Sequence, residues 1–433
     1  MREMKDSGIS WVGDIPQNWE MKRLKYLFKF CKGLPITKDN LIDQGLPVIS
    51  YGQIHAKTNN GVDVRPHLLR FVDFSYQTFY PLSQVMRGDF VFADTSEDYD
   101  GCGNCVYKRN DSLLFAGYHT IIAHSIIESD NRFFAYLFLT DIWRRQIREK
   151  VSGVKVFSIT QKTLSNSYII LPPLAEQQRI AEFLDRECGK IDGLKADIQA
   201  QIDTLEQYKR SIITETVTHG LNPSAPMKDS GIPWVGEIPA KWAVLPIYCV
   251  YGERKRKNVF GTEQNLLSLS YGKVIRKDIN TNGGLLPSNY NGYNIIEKND
   301  IIIRPTDLQN DRTSLRTGLV KEHGIITSAY IALKPKNRVS SKFYHYLLHS
   351  YDVKKVFYNM GNGVRQGLNY GEFAKLMVYY PPLDEQQEIA DYLDNKCAEI
   401  EQIIVDKKSQ IETLDGYKKS LIYEYVTGKK EVV

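Results

Sequence analysis

The strongest constraint on the fold is that the chain contains one sequence unit twice. Residues 4–19 and 227–242 are identical at 12 of 16 positions. Residues 172–191 and 381–400 are identical at 12 of 20 positions, and shorter matches lie between these anchors in the same order. Matches that keep their order at nearly constant spacing indicate a repeated structural unit. Each unit is predicted to be a domain of about 150 residues followed by a segment of about 45 residues.

A long helix is predicted after each Pro-Pro-Leu sequence. The proline pairs at 172–173 and 381–382 cannot continue a helix, but they are compatible with a position just before one. Apolar residues then recur every seven positions, which is the pattern of a coiled coil. The predicted interface residues are Leu184, Ile191, Ile198, Leu205 and Ile212 in the first copy and Leu393, Ile400, Leu414 and Leu421 in the second. Leu194 and Tyr208 are expected at the other seam position, and Lys407 interrupts the second series.

Two such helices in one chain are expected to pack on each other. Each would have about 43 residues and a length of roughly 65 Å. Neither helix can bury its apolar face alone, and a pseudo-two-fold axis between the copies would make the pair antiparallel. This arrangement would place the two domains at opposite ends of the pair. The alternative is a homodimer formed through the same helices.

The remaining segments are predicted to be domains of strands, turns and one late helical element. Short apolar runs are bounded by Gly, Asn, Asp and Pro clusters, and residues 131–148 and 341–358 have helical spacing. The predicted fold class is α+β, with two homologous mixed α/β domains separated by two long antiparallel coiled-coil helices. The predicted segments are 1–171 for the first domain, 172–220 for the central helix, 221–380 for the second domain and 381–433 for the C-terminal helix.

Composition restricts the location and the partners. A chain of 433 residues with 42% hydrophobic residues can form several cores, and no run approaches the roughly 18 apolar residues of a membrane helix. Six cysteines are too few for a disulfide framework, and the polar start is not a signal sequence. We therefore expect a cytoplasmic protein. A net charge of +5 permits a polyanionic partner without requiring one.

Familiar catalytic and metal motifs are missing or incomplete. The sequence has no G-x-x-x-x-G-K-[ST] phosphate loop, and neither Pro-Pro-Leu sequence follows the Asn or Asp that an adenine methyltransferase needs. Cys102 and Cys105, followed by His119 and His124, have the spacing of a zinc finger. A finger carries its histidines on a helix, whereas residues 113–127 have strand character. We therefore expect no catalytic residue and no metal.

The order of motifs resembles the specificity subunits of type I restriction-modification systems over essentially the whole chain. The shared pattern is W-V-G-[DE]-I-P-x-x-W at the start of the domain, G-V-[KR] late in the domain, and P-P-L-x-E-Q-Q-x-I-A-x-x-L-D at the start of the helix. All three motifs occur twice. One departure is conservative, because Tyr380 precedes the second proline pair where Leu171 precedes the first.

The resemblance implies a non-catalytic subunit that recognises double-stranded DNA. Each domain would recognise one half of a bipartite, asymmetric site, and the helices would set the spacer length and dock two methyltransferase subunits. S-adenosylmethionine would be held by those subunits, and ATP and Mg by restriction subunits that join the complex, so this chain would hold no cofactor. The alternative is a coiled-coil scaffold whose two β-rich modules bind proteins or glycans. A self-contained restriction enzyme would need catalytic motifs that the sequence lacks.

Candidate DNA contacts are polar and basic side chains in predicted turns. Basic residues suit phosphates, and Gln, Lys and Arg can pair with base edges, although turns are polar in any case. The candidates are Tyr51, Gln53, Thr95 and Lys155 in the first domain and Arg254, Lys255, Arg256, Lys257, Tyr271, Lys273, Thr306 and Arg365 in the second. A solvated loop is the alternative for the basic run. The tryptophans of the repeated motif, Trp11, Trp19, Trp234 and Trp242, are expected to pack in the core.

Overall fold

The computed structural model describes residues 2–9, 12–278, 289–306, 308, 315–336, 338–360 and 367–432. The chain forms two compact units, each of which combines β-sheets with helices. The first unit contains Met1–Ile198 and Ser409–Val433, and the second contains Gln199–Lys408. Both boundaries between the units lie inside long helices, whereas the four predicted segments end near the helix termini. Those segment boundaries stay a prediction.

The first domain has a central antiparallel sheet with the strand order β4, β11, β7, β9. Its strands are β1 (Met4–Asp6), β2 (Asp14–Pro16), β3 (Glu20–Arg23), β4 (Phe28–Lys32), β5 (Leu46–Ile49), β6 (Arg70–Val72), β7 (Phe90–Ala93), β8 (Thr95–Ser96), β9 (Cys105–Tyr107), β10 (Phe115–Ala116), β11 (Thr120–Ser125), β12 (Phe157–Ser158) and β13 (Tyr168–Leu171). Its helices are α1 (Tyr51–Ile54), α2 (Ser75–Phe79), α3 (Asn131–Phe138), α4 (Asp141–Arg148) and α5 (Gln161–Ser165), with 3₁₀ turns at Leu24–Tyr26, Lys38–Asn40, Pro66–Leu68 and Pro81–Ser83. The long helix α6 (Leu174–His219) follows.

The second domain repeats this sheet as β17, β24, β21, β22. Its strands are β14 (Met227–Asp229), β15 (Glu237–Pro239), β16 (Ala243–Pro246), β17 (Tyr251–Glu253), β18 (Leu267–Ser270), β19 (Lys273–Arg276), β20 (Asn294–Ile296), β21 (Ile301–Ile303), β22 (Thr317–Leu319), β23 (Gly324–Ile326), β24 (Ile331–Pro335) and β25 (Met377–Tyr380). Its helices are α7 (Ser341–Val353) and α8 (Tyr370–Phe373), with 3₁₀ turns at Ile247–Cys249 and Val356–Asn359. The long helix α9 (Leu383–Val426) follows.

The central strand of each domain is buried on both faces, which explains its uninterrupted apolar sequence. In β7, Phe90 and Phe92 lie in one hydrophobic cluster, whereas Val91 and Ala93 lie in another on the opposite face. In the second domain, β21 divides its isoleucines between two clusters in the same way. Alternate side chains of a strand point to opposite faces, so burial of both faces removes the alternation of apolar and polar residues.

The repeated tryptophan is tied to the repeated glutamate of the helix start. Trp19 and Trp242 are fully buried, and their indole nitrogens donate to Glu176 Oε2 at 2.8 Å and to Glu385 Oε2 at 3.0 Å. Trp234 is half-buried, and Trp11 lies outside the described residues. A buried indole N–H needs an acceptor, which the carboxylate supplies in both copies. The two motifs therefore recur together because they form one contact.

The first glutamine of each E-Q-Q motif joins the long helix to its domain. Gln177 accepts a hydrogen bond from the backbone N–H of Asp130, which caps α3, and Gln386 accepts one from Ser340, which caps α7. Each amide also donates to the carbonyl of the first proline of Pro-Pro-Leu at 2.8 Å. In both copies, the glutamine of the long helix is therefore hydrogen-bonded to the capping residue of the late helix.

Segments of α6 and α9 pair within each unit, and their order is antiparallel. In the first unit, Lys195 contacts Asp415 and Lys418 donates to Asp192 at 2.7 Å. In the second unit, the ammonium group of Lys209 lies 2.5 Å from a carboxylate oxygen of Glu401, and Lys407 donates to the side-chain oxygen of Gln201 at 2.5 Å. Later positions on α6 thus lie opposite earlier positions on α9 in each unit.

The burial pattern corrects one predicted seam position. Leu184, Ile191 and Ile212 are buried, Ile198 and Leu205 are half-buried, and in α9 Leu393, Ile400 and Leu421 are buried and Leu414 is half-buried. Leu194 and Tyr208 are 53% and 54% exposed, so their prediction as seam residues is wrong. The second seam position is shifted by one residue and contains Cys188, Lys195, Ile202 and Lys209. Lysine can occupy such a position because its apolar stem packs while its ammonium group reaches a carboxylate.

In the described part of the chain, no helix is long and apolar enough to span a membrane.

Candidate nucleic-acid interface

Three of the four candidate positions in the first domain lie in one surface region. Strand β8, which begins at Thr95, pairs with β12, and the loop carrying Lys155 leads directly into β12. Thr95 Oγ1 lies 3.3 Å from Nδ1 of His119, and the rings of His119 and Tyr51 are 5.4 Å apart in an edge-on arrangement. Val154, next to Lys155, is 92% exposed. This region, which we call the Thr95 surface, presents Tyr51, Thr95, His119 and the Lys155 loop to solvent.

Gln53, the fourth candidate of the first domain, has a local structural role. Its side-chain oxygen accepts a hydrogen bond from the backbone N–H of Ser50 at 3.1 Å, which completes a capping box at the start of α1. This contact holds the side-chain oxygen of Gln53 at the helix terminus, so that oxygen already has a donor within the protein.

The four basic residues 254–257 of the second domain differ in exposure and in their partners. Arg254 contacts both carboxylate oxygens of Asp300, which is fully buried, and only 15% of the Arg254 side chain is exposed. This buried ion pair removes Arg254 from the candidate surface. Lys255 and Arg256 are 72% and 65% exposed, with ion pairs to neighbouring glutamates that solvent weakens. Lys257 donates to a backbone carbonyl at 3.0 Å.

Tyr271 and Lys273 lie in a local structure that their first-domain counterparts do not adopt. Tyr51 begins a helix, whereas Tyr271 and Gly272 form the two-residue turn between β18 and β19. Both turn residues have positive φ, 46° and 77°, as a tight hairpin of this kind requires. Tyr271 is 90% exposed, and Lys273 lies 3.5 Å from Glu401. The hairpin therefore holds Tyr271 out in solvent and directs Lys273 toward α9.

Thr306 is exposed, and a buried arginine supports its backbone. Arg316 is fully buried, and its guanidinium donates to the carbonyl of Thr306 at 2.6 Å. Its backbone N–H donates to Asp352, whose pKa burial raises to about 6. The sequence shows no pattern that marks Arg316 or Asp352 as partners, since they are far apart along the chain. Arg365 lies outside the described residues.

The cysteines and histidines of the zinc-finger spacing lie apart in contacts of other kinds. Cys102 and Cys105 are buried in the core of the first domain, and burial raises the pKa of Cys105 to about 12. His124 lies 2.7 Å from a carboxylate oxygen of Asp89, and His119 belongs to the Thr95 surface. Within the described ranges, no group of three His, Cys, Asp or Glu side chains is placed to hold a metal.

A second exposed feature recurs on the long helices. Leu194 and Ile403 occupy equivalent positions in the two copies, and so do Tyr208 and Tyr417. All four are between 44% and 57% exposed. The first unit carries Leu194 and Tyr417, and the second carries Ile403 and Tyr208. We call each set an aliphatic–tyrosine pair, and each unit presents one.

The fold and these surfaces define an internally duplicated α+β protein, in which internal contacts repeat and exposed turns differ. The model of the type I restriction modification DNA specificity domain matches residues 16–204 and 253–413. Because these ranges cover well over half of the chain, the protein belongs to that family.

Named relatives are similar in sequence to this chain over nearly its full length. The chain is 24% identical to the MjaVIII type I restriction enzyme specificity subunit of Methanocaldococcus jannaschii over 442 residues, which cover 96% of this chain and 94% of that protein. It is 21% identical to the StySPI specificity subunit of Salmonella potsdam over 432 residues, covering 96% and 90% of the two chains. A chain in a solved type I restriction-modification system has the same fold, with a TM-score of 0.69 at 15% identity and coverage of 96% and 99%.

Proposed function

We propose that this protein is the DNA-recognition subunit of a type I restriction-modification complex and that each domain recognises one half of a bipartite, asymmetric site. The observation that carries the proposal is that scaffold contacts are duplicated while exposed turns are not. The tryptophan–glutamate and glutamine contacts occur in both copies, whereas Tyr51 and Tyr271 occupy different local structures. Two domains that recognise different half-sites need one scaffold and two different surfaces.

The long helices are proposed to separate the two target-recognition domains as an antiparallel coiled coil, in keeping with a pseudo-two-fold duplication. Paired lysines and carboxylates in each unit support this arrangement. A pair of this kind would set the length of DNA between the half-sites.

Two copies of a methyltransferase subunit are the proposed partners of the helices. The aliphatic–tyrosine pairs support this stoichiometry, because equivalent exposed surfaces in both copies fit two identical partners. Tyrosine and aliphatic side chains are also typical of protein interfaces. The methyltransferase subunits would hold S-adenosylmethionine, and restriction subunits would hold ATP and Mg.

This chain itself is proposed to be non-catalytic and to act in the cytoplasm. Membership of the specificity-domain family supports a recognition role. The scaffold with protein- or glycan-binding modules has no support from the comparisons.

Methylation sequencing of host DNA, with and without the gene, tests the proposal. We expect one bipartite methylated motif that disappears on deletion and returns when the gene is restored. The control is a strain that lacks the partner methyltransferase gene, which should lose the same motif. An unchanged methylation pattern after deletion of this gene would contradict the proposal.

A further inference from the structure

The Thr95 surface contains an exposed histidine in a strained backbone conformation. His119 has a φ of 54°, in the left-handed region that residues other than glycine enter at an energetic cost. Its side chain is 56% exposed. Such strain persists only where surrounding contacts enforce it, and it is concentrated at functional sites.

The contacts of His119 determine which ring nitrogen carries a proton. Thr95 donates its hydroxyl proton to Asp94 Oδ1 at 2.8 Å. His119 Nδ1 therefore faces two acceptors, Thr95 Oγ1 at 3.3 Å and Asp94 Oδ1 at 3.2 Å. Nδ1 must be the donor in the neutral ring, which leaves Nε2 as an acceptor. Across the described residues, Nε2 has no hydrogen-bond partner.

The charge around His119 favours a ligand that donates hydrogen bonds. The carboxylate of Asp94 lies beside the ring, 3.2 Å from Nδ1, and Glu97, Asp98 and Asp100 follow Thr95 in the chain as exposed residues. The donors on the major-groove edges of DNA are the exocyclic amino groups of adenine and cytosine. An acceptor nitrogen on a ring that a carboxylate holds in place matches these amino groups.

The second domain lacks this arrangement at equivalent positions. Ile121 lies opposite Phe92 in the first domain, and Ile331 lies opposite Ile303 in the second. Two residues beyond these strand positions, Asp94 and His119 are replaced by Pro305 and Ala329. A contact that occurs in one domain only fits recognition of one half-site, in contrast to the duplicated scaffold contacts.

We infer that His119 is a specificity-determining residue of the first domain and accepts a hydrogen bond from the exocyclic amino group of an adenine or a cytosine in its half-site. Asp94 is the positioning residue, because it orients the ring and holds the proton on Nδ1. The inference rests on the proposed DNA-recognition function.

The test uses His119→Gly and His119→Asn in the full chain, expressed with the partner methyltransferase gene. Glycine and asparagine both accept the left-handed backbone, so the fold is kept while the imidazole is lost. In His119→Gly, which removes the acceptor, we expect one base position of one half-site to become degenerate in the methylated motif, while the other half-site is unchanged. His119→Asn keeps an acceptor oxygen on a shorter side chain and should retain more of the preference at that position. The melting temperature of His119→Gly should equal or exceed that of the wild type. His67→Asn removes another exposed histidine of the same domain and should leave the motif unchanged.

Synthetic DNA then tests the amino group itself. The purified wild-type complex should bind a duplex lacking the exocyclic amino group at the affected base roughly three- to tenfold more weakly, as loss of one hydrogen bond predicts. The His119→Gly complex should bind the two duplexes equally.

Three results would overturn the inference: an unchanged motif in both variants, degeneracy in both half-sites, or loss of methylation together with a lowered melting temperature. Absence of any bipartite motif with the wild-type gene would instead refute the proposed function, and this inference with it.

Discussion

Lengthening both long helices by one heptad should lengthen the spacer between the two half-sites. The perturbation duplicates residues 198–204 in α6 and residues 407–413 in α9. Lys195 and Lys209 are two heptads apart on α6, and so are their partners Asp415 and Glu401 on α9. Equal insertions between these anchors therefore keep both ion pairs in register, and a seven-residue insertion returns apolar residues to the same face.

The expected change follows from helix and DNA geometry. Seven residues add about 10.5 Å to a helix at ~1.5 Å per residue. At ~3.4 Å per base pair, this length corresponds to roughly three additional base pairs of spacer. Three base pairs also rotate the second half-site by roughly 100°, since B-DNA has about 10.5 base pairs per turn. Methylation weakens or is lost if the complex and the DNA do not absorb this rotation.

Methylation sequencing provides the assay. The expected result is a motif with both half-sites unchanged and a longer gap, or loss of methylation because of the rotation. The control inserts the heptad in α6 alone, which places one of the two ion pairs out of register and should abolish methylation. Full methylation at the original spacing in the double insertion would show that the helices do not set the distance.

Further predictions concern modularity, stability and pH. Exchange of residues 19–171 for the matching domain of another specificity subunit should change one half-site in the methylated motif, and a change in both would refute independent recognition. Trp242→Phe leaves Glu385 without its indole donor and should lower the free energy of unfolding by roughly 1–3 kcal/mol; an unchanged urea midpoint would show that the contact contributes little. Burial lowers the pKa of His345 to about 3 and of His349 to about 4, with a smaller effect of neighbouring cationic or histidine side chains. In the unfolded chain both histidines take up protons below about pH 6.5, whereas in the folded protein they stay neutral until about pH 4. The free energy of unfolding is therefore at its full value above pH 6.5 and falls as the pH falls toward 4. Thermal unfolding between pH 7 and pH 4.5 should show this loss, and a His345→Gln/His349→Gln variant should show less of it.

The sequence alone was sufficient for features that depend on local chemistry and on repetition. Proline pairs mark the start of each long helix, and a seven-residue period predicts an apolar face, because both signals act within a few turns of one helix. The paired motifs also predicted two copies of one unit. The contact between Trp19 and Glu176 has no local signal in the sequence, and only the joint recurrence of the two motifs hints at it.

Tertiary structure decided what the repeated residues do. Leu194 fits the heptad by spacing but is exposed, and the buried Ile202 lies at the shifted seam position instead. Lys195 and Lys209 occupy the same position, because α9 supplies the carboxylates that pair with their ammonium groups. The basic run predicts that Arg254 contacts a phosphate, but the Arg254 side chain is largely buried in an ion pair with Asp300.

The candidate recognition contacts depend most on the tertiary fold. Asp94 and His119 are separated in sequence and meet because β7 and β11 are neighbours in register. Tyr51 and Tyr271 have matching sequence neighbours but adopt different local structures. A capping box favours a helix at Tyr51, whereas positive φ angles at Tyr271 and Gly272 form a hairpin turn. Local sequence specifies which side chains are present; long-range pairing of strands decides which of them share a surface.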